Sequence, residues 1–154
     1  MDGTNTGFPG EHLELFDRVS DVLSRRTGDG DYAQMLVLDA FRVAWHRAQE
    51  DSTEITLGSV LSLAMGPASV VIQDKDAQVA RERTAAGVIA SLPVQQREIL
   101  RMVYWDQLSM AELAEYLGCT IGEAGRRLGR AYRKAEYRLL RLEHMGKVPS
   151  DEPY

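Results

Sequence analysis

Two consecutive helix-start signals, separated by a glycine, restrict the fold of this chain more than any other feature. Ser109 and Glu112 have the spacing of a capping box, in which a hydroxyl and a carboxylate three residues later satisfy the free N–H groups that begin a helix. Thr120 and Glu123 repeat that spacing. Gly118 lies between the two boxes and suits the left-handed conformation in which many helices end. The pattern predicts a short helix, a tight turn and a second helix.

A short helix, a glycine turn and a capped second helix together form the arrangement of a helix-turn-helix motif. We predict that the second helix runs from residue 120 to about Leu142 and that it has two chemically different faces. One face is apolar and rich in small side chains, which allows close approach to a neighbouring helix. Its members are Ala124, Leu128, Ala131, Ala135 and Leu139.

The opposite face of this helix is basic, although the chain of 154 residues has a net charge of −5. Residues 120–141 carry seven basic and two acidic side chains. A basic helix on an acidic body can bind a polyanion while the rest of the surface repels it. In such motifs the first turn of the second helix enters the major groove, and later residues contact phosphate. The predicted contacts to duplex DNA are Thr120, Gly122, Glu123, Arg126, Arg127, Arg130, Arg133 and Lys134.

Three points about this helix stay open at the level of sequence. The basic face could be solvated without any ligand, and Glu123 could be only a helix cap. Gly122, Gly125 and Gly129 each destabilise a helix by roughly 1 kcal/mol relative to alanine. These glycines either let a DNA backbone approach closely or indicate that the reading surface has been lost.

The remaining periodicity predicts an all-α chain of two small helical domains, the second of which contains the helix-turn-helix. Apolar residues recur at helical spacing over 11–26 and 31–49, and aspartates in the intervening turn can cap the second of these helices. A short helix over 55–65 is predicted to end at Gly66 and Pro67. Residues 68–72 are compatible with a helix or a strand, and we favour a helix because nothing nearby offers a strand partner. The predicted division is a tail over 1–10, a domain over 11–72, a charged linker over 73–87, a domain over 88–144 and a tail over 145–154.

The composition argues against an enzyme, a metal centre and a membrane protein. The chain has one cysteine, and its three histidines do not fall at metal-ligand spacing. Its glycines do not form a phosphate-binding loop. No apolar run approaches the roughly 20 residues that span a bilayer, and no secretory signal begins the chain. We therefore expect a cytoplasmic protein without enzymatic activity, cofactor, metal or membrane contact.

The run from Ser91 to Thr120 closely resembles region four of bacterial sigma factors, especially the small extracytoplasmic-function group. The matching features are Leu92-Pro93, Arg97-Glu98 and the stretch from Ser109 to Gly118. The resemblance extends over about 88–142 and includes Arg127, Leu128, Arg130 and Ala131 at the end of the recognition helix. It implies a helix-turn-helix that binds an upstream promoter element.

A second, weaker resemblance covers residues 12–49 and concerns the helix of sigma region two that docks on the largest polymerase subunit. Agreement is found at Ala33, Leu36, Val37, Asp39, Phe41, Ala44 and Trp45. The resemblance implies polymerase or partner contacts by Leu36, Asp39, Phe41 and Trp45, although Leu36, Phe41 and Trp45 are also typical core residues. Promoter melting is poorly supported, because residues 50–72 lack asparagine, arginine, lysine and aromatic side chains.

Two functions are therefore compatible with the sequence. The first is a sigma-factor-like transcription regulator that binds double-stranded promoter DNA and engages the RNA polymerase core to direct initiation. The second is a sigma mimic or interaction protein that binds an anti-sigma factor or polymerase without melting DNA. The basic capped helix favours the first function, whereas the composition of residues 50–72 favours the second.

Overall fold

The protein is described by a computed structural model that covers the backbone of residues 10–151 and the side chains of residues 12–144. This part of the chain forms seven α-helices and no strand, which confirms the all-α prediction. The predicted tails fall outside the described residues at 1–9 and 152–154. The helices are α1 (Gly10–Thr27), α2 (Gly30–Asp51), α3 (Leu57–Val79), α4 (Ala85–Ala90), α5 (Val94–Tyr104), α6 (Met110–Leu117) and α7 (Ile121–Asp151).

The chain divides into two compact units. The first contains the described residues up to Ile72 together with Ala114–Cys119, and the second contains Gln73–Leu113 and the residues from Thr120 onward. In the first unit α1 packs against α2, and Asp29 caps α2 as predicted, since its carboxylate accepts a hydrogen bond of 3.1 Å from the Tyr32 N–H. The largest fully buried side chains in this unit are Val19, Leu23, Val37, Phe41, Val60 and Leu61.

The prediction that a helix ends at Gly66 and Pro67 is wrong, because α3 continues through both residues to Val79. An internal proline removes one helical hydrogen bond and crowds the preceding turn. Helical spacing of buried side chains nevertheless continues across Pro67, and this burial outweighs the local preference. The buried residues on the two sides of the proline are Leu61, Ala64, Met65, Ala68 and Ile72.

Helix α3 is also the one helix in the described part of the chain that is long and apolar enough to span a membrane. Its most apolar 18-residue stretch has a mean hydropathy of 1.2, and 44% of that stretch is buried inside the protein. A core helix of a soluble domain meets the same criterion of length and composition. The sequence expectation considered only uninterrupted apolar runs and therefore passed over this helix.

Residues 73–79, which the sequence assigns to a charged and partly helical linker, form the last turns of α3 and carry a buried carboxylate. Asp76 Oδ2 lies 2.8 Å from Arg97 Nε, and Asp76 Oδ1 lies 2.6 Å from an Arg101 Nη atom. Glu98 completes this buried ionic cluster at 3.0 Å from Arg101. All four side chains are less than a tenth exposed. A charged residue in a polar run can be buried in this way when it is fully paired.

The electrostatics of the buried ionic cluster favour the charged state of Arg101. Desolvation lowers the pKa of Arg101, but hydrogen bonds and Coulombic attraction from Asp76 and Glu98 outweigh that effect and raise it above its ordinary value. Arg97 is anchored as well, since its guanidinium donates hydrogen bonds to the carbonyls of Ala90 at 3.4 Å and Leu92 at 3.1 Å. The cluster therefore joins α3, α5 and the segment that precedes α5.

The boundaries of α4 and α7 also differ from the predicted ones. The predicted linker over 73–87 includes the start of α4, and Pro93 is the N-cap of α5. Residues 145–151, which the sequence assigns to a tail, continue α7 beyond its predicted end at Leu142. A glycine such as Gly146 weakens a helix by about 1 kcal/mol relative to alanine but does not end it unless the backbone turns left-handed.

Replacement of Asp76 tests the buried ionic cluster. Asp76→Asn removes the charge that faces two buried guanidinium groups, so we expect the free energy of unfolding to fall by about 3–5 kcal/mol. Urea denaturation monitored by circular dichroism measures this change. The matched control is Asp74→Asn, two residues earlier on the exposed side of α3, which should change stability by less than about 0.5 kcal/mol. Equal stability of the two variants would contradict the assigned role.

Candidate nucleic-acid interface

The first capping box forms as predicted and begins α6. The Ser109 N–H donates to the Glu112 carboxylate at 2.9 Å, and the Glu112 N–H donates to the Ser109 hydroxyl at 3.1 Å. Helix α6 ends at Leu117, and Gly118 follows with a φ of 71°, the left-handed conformation for which glycine is suited. The turn from Gly118 to Thr120 then leads into α7.

The second capping box is only half formed, because the carboxylate of Glu123 binds arginines of its own helix. The Thr120 hydroxyl accepts a hydrogen bond of 3.1 Å from the Glu123 N–H, as expected for a helix cap. The Glu123 carboxylate accepts hydrogen bonds from Arg126 Nε at 3.0 Å and Arg127 Nε at 3.1 Å. It also lies 3.5 Å from the guanidinium of Arg130. Glu123 is therefore an internal counter-ion for three of the predicted DNA-binding residues.

Helix α7 buries the predicted small apolar face. Ala124 and Ala131 are fully buried and Ala135 is 6% exposed. Together with Leu92 and Leu100, two of these alanines form a core cluster in the second unit, and Leu128 packs against it. Alanine side chains keep α7 close to its neighbours and fix the rotation of the helix about its axis. The basic side chains on the other side of the helix are directed outward as a consequence.

The predicted DNA-binding residues differ in their exposure. The side chains of Arg126 and Arg130 are 66% and 54% exposed, whereas that of Arg127 is 29% exposed. Arg133 and Lys134 are exposed and make no ion pair with any residue that the structure describes. Of the predicted DNA-binding residues, the arginine and lysine that are free of an intramolecular ion pair therefore lie about three turns beyond the start of the helix.

Gly122, Gly125 and Gly129 do not interrupt α7, which is continuous through all three. A Cβ atom at Gly122 would come no closer than 3.8 Å to another group, namely the end of Arg126, and one at Gly125 would lie 4.0 Å from Met110. A Cβ at Gly129 would lie 3.4 Å from the flexible end of Arg133. The packing of the described residues thus does not require glycine at these positions. Because glycine has no side chain, no side chain projects from the helix surface at these three positions.

The four residues of α2 predicted to contact polymerase fall into two pairs. Leu36 is 8% exposed and Phe41 is 1% exposed, so both lie in the core of the first unit. Asp39 is exposed and pairs with Arg42 at 2.8 Å, and Trp45 is 38% exposed. The available surface of α2 is therefore smaller than the resemblance implies.

Sequence reasoning missed three exposed apolar residues on α2. Met35 is 55% exposed, Leu38 is 38% exposed and Val43 is 42% exposed. Leu38 lies three residues after Met35, and Trp45 lies seven residues after Leu38. This spacing places the three side chains along one stripe of the helix, which we call the apolar stripe of α2. That spacing was visible in the sequence, but the apolar residues of α2 are too numerous for the pattern alone to separate the stripe from the core.

The arginines around Glu123 affect the pKa of its carboxyl group. Hydrogen bonds from Arg127 and then Arg126 hold the pKa of the Glu123 carboxyl below its ordinary value of 4.5. The carboxylate–arginine bonds are therefore fully present above that value and disappear as the pH falls through the lower pKa of the folded chain. We expect a carbon-detected NMR titration of Glu123 to have its midpoint below 4.5, and Arg126→Gln with Arg127→Gln to move the midpoint upward.

The control for this titration is Arg133→Gln, which removes an arginine of the same helix that does not bind Glu123. Its titration midpoint should match that of the unaltered chain. An unchanged midpoint in the double variant would contradict the observed pairing.

Comparison with known proteins identifies the segment that contains this interface. Residues 85–134 match the family described as sigma-70, region 4. No curated protein matches the chain.

The fold is similar to that of the sigma factor RpoE from Bartonella quintana, whose structure was solved in complex with the anti-sigma factor NepR. The TM-score is 0.53 and the sequence identity is 18%, with 85% of this chain and 94% of that chain covered. Both comparisons agree with the resemblance predicted from the sequence. Residues 85–134 therefore match a sigma-70 region 4, and the fold of the chain is similar to that of a sigma factor.

Proposed function

We propose that this chain is a sigma-factor-like transcription regulator that binds double-stranded promoter DNA through α7 and engages the RNA polymerase core through α2. The observation that carries the proposal is the outward row of basic side chains on α7, within the segment that matches sigma-70 region 4. Burial of the opposite face of the helix supports this orientation. A protein with this role acts in the cytoplasm.

The first turns of α7 have the side chains that base recognition in the major groove requires. Arg126 and Arg130 are exposed and lie four residues apart, so their guanidinium groups project from the same side of the helix. Arginine reads guanine through two parallel hydrogen bonds. Arg133 and Lys134 are farther along the helix and suit contacts to phosphate, which add affinity without sequence information. Thr120 and Gly122 belong to the end of the helix that would enter the groove.

Glu123 makes this DNA binding competitive with an intramolecular interaction. To contact DNA, Arg126, Arg127 and Arg130 must first leave, or share, the Glu123 carboxylate that they bind in the free chain. A nearby carboxylate repels the charged phosphates of DNA, whereas a guanine edge offers two uncharged acceptors and is repelled less. We therefore propose that Glu123 weakens non-specific binding more than binding to a cognate promoter element.

Two opposite substitutions test the role of α7 in DNA binding. Glu123→Gln frees three arginines, so it should tighten binding to a non-specific duplex several-fold. Arg126→Gln with Arg130→Gln should weaken binding to a selected promoter element by about 1–3 kcal/mol for each arginine that reads a base. Fluorescence anisotropy over a salt series measures both affinities, and the log–log slope should fall by about 0.9 for each phosphate that is no longer neutralised.

The control for these measurements is Arg47→Gln, which removes one exposed arginine from the first unit. Its affinity for duplex DNA should remain close to that of the unaltered chain. If no duplex binds even at low salt, the proposal that α7 binds DNA fails. Promoter elements are selected from a library with the full chain and core polymerase, since the target sequence is unknown.

The apolar stripe of α2 is the surface that we propose for polymerase contact. Met35, Leu38 and Trp45 expose apolar area on a helix whose opposite side is buried in the core. Aromatic and large apolar side chains provide most of the binding energy in many protein interfaces. Leu36 and Phe41 support this surface from beneath, and Asp39 lies beside it with Arg42.

Substitution within the stripe tests this assignment. Leu38→Ser with Trp45→Ala should weaken binding of the chain to core polymerase by about 2 kcal/mol or more. Surface plasmon resonance with immobilised core enzyme measures this change. Val70→Ser is the matched control, because Val70 is an exposed apolar residue of α3 at 66% exposure. Equal weakening in both variants would contradict a specific contact by α2.

The second candidate function is that of a sigma mimic or interaction protein that binds an anti-sigma factor or polymerase without melting DNA. Two observations favour it. The similar structure of RpoE is a complex with an anti-sigma factor, and residues 50–72 lack the basic and aromatic side chains expected for melting. Transcription with core polymerase on the selected promoters separates the two candidates. Transcripts that depend on the chain support the first, whereas polymerase or anti-sigma binding without transcripts supports the second.

A further inference from the structure

We infer that a cleft in the second unit, distinct from the DNA-binding face proposed for α7, binds phosphoryl groups. The cleft has a volume of about 370 Å³ and lies between the segment that joins α3 to α4, the helix α4 and the C-terminal half of α7. We call it the arginine cleft. Its polar and charged lining consists of Arg81, Glu82, Arg83, Ser91, Arg138 and Arg141.

The walls of the arginine cleft are held close together by backbone packing. A Cβ atom at Gly87 would lie 2.1 Å from the Glu82 carbonyl oxygen and 3.0 Å from that of Val79. Only glycine allows α4 to approach the preceding segment this closely. The segment is therefore fixed against α4 at the point where it presents Arg81 and Arg83.

One cation of the arginine cleft is held in place before any ligand binds. The guanidinium of Arg138 donates hydrogen bonds to the carbonyl oxygen of Ser91 at 3.1 Å and to its hydroxyl at 3.2 Å. Arg141 lies over the ring of Tyr137, with 5.8 Å from its guanidinium carbon to the ring centre. Contacts of this kind reduce the conformational entropy that these side chains lose when an anion binds.

The charge of the arginine cleft is not neutralised by the described part of the chain. The four arginines face one carboxylate, that of Glu82, and none of them forms an ion pair with a described residue. Elsewhere in the chain the arginines near a carboxylate are paired with it, as in the buried ionic cluster and around Glu123. A concave group of unpaired guanidinium groups on an acidic protein attracts an anion.

The chemistry of this lining favours phosphate over isolated carboxylates. A phosphoryl group presents several charged oxygens within a small volume, and the fork of arginine binds such oxygens in pairs. A cleft of about 370 Å³ is near the small end of ligand sites and suits one compact, highly charged group. The phosphoryl group can belong to a small free ligand or to a nucleic-acid backbone.

Pyrophosphate and duplex DNA are the probes that test this inference. Isothermal titration calorimetry with inorganic pyrophosphate should show binding to the full chain. Arg83→Gln with Arg141→Gln should weaken that binding by about tenfold or more, since each substitution removes charge-assisted hydrogen bonds to the phosphoryl oxygens. Arg47→Gln removes an equal charge per substitution from the first unit and should leave pyrophosphate affinity unchanged. Thermal melting confirms that the variants are folded.

The outcome with DNA identifies the source of the phosphate and keeps this inference separate from the proposed function. Arg126→Gln with Arg130→Gln should retain pyrophosphate binding even if it abolishes binding to duplex DNA. Weaker DNA binding by the Arg83 and Arg141 variant supports the cleft as a contact to the nucleic-acid backbone, whereas unchanged DNA binding with loss of pyrophosphate binding supports a free ligand. Absence of pyrophosphate binding together with unchanged DNA affinity would overturn the inference, as would equally tight binding of hexaglutamate.

Discussion

Burial of the alanine face of α7 is the constraint on which the candidate site depends. Ala131 and Ala135 lie in one cluster with Leu92 and Leu100, so the rotation of α7 about its axis is fixed by packing. A larger side chain at either alanine would push the helix away from its neighbours. With the rotation fixed, the charged side chains can point only outward. The buried alanines of α7 therefore determine which side chains of the helix face outward.

Carboxylates determine which arginines of this chain are available to another molecule. Asp76 pairs with Arg97 and Arg101, and Glu98 pairs with Arg101, all four side chains being buried. Glu123 holds its arginines at the surface, where the interaction is weaker because water and salt screen it. The arginine cleft has a single carboxylate for four guanidinium groups. Arginine thus has three different roles in this chain. It is paired and buried in the ionic cluster, paired at the surface around Glu123, and without an ion pair in the arginine cleft.

Local signals allowed much of this fold to be predicted from the sequence. The capping box at Ser109, the left-handed Gly118 and the cap at Asp29 each depend on a few neighbouring residues, and each forms as expected. The continuation of α3 through Pro67 depends on contacts between distant residues, and no local rule gives it. The hydrogen-bond partners of the Glu123 carboxylate could not be predicted either, since a glutamate three residues after a threonine can bind either the backbone or a nearby arginine.

The buried ionic cluster also has a consequence for the dynamics of the second unit. Its charges are stable inside the protein only while all partners are present, because separation of any one leaves an uncompensated charge in a poorly hydrated place. Residues 73–79 and α5 therefore cannot detach from each other by small local fluctuations. Their backbone amides should open in a single cooperative event and exchange with solvent at a common rate, as one foldon.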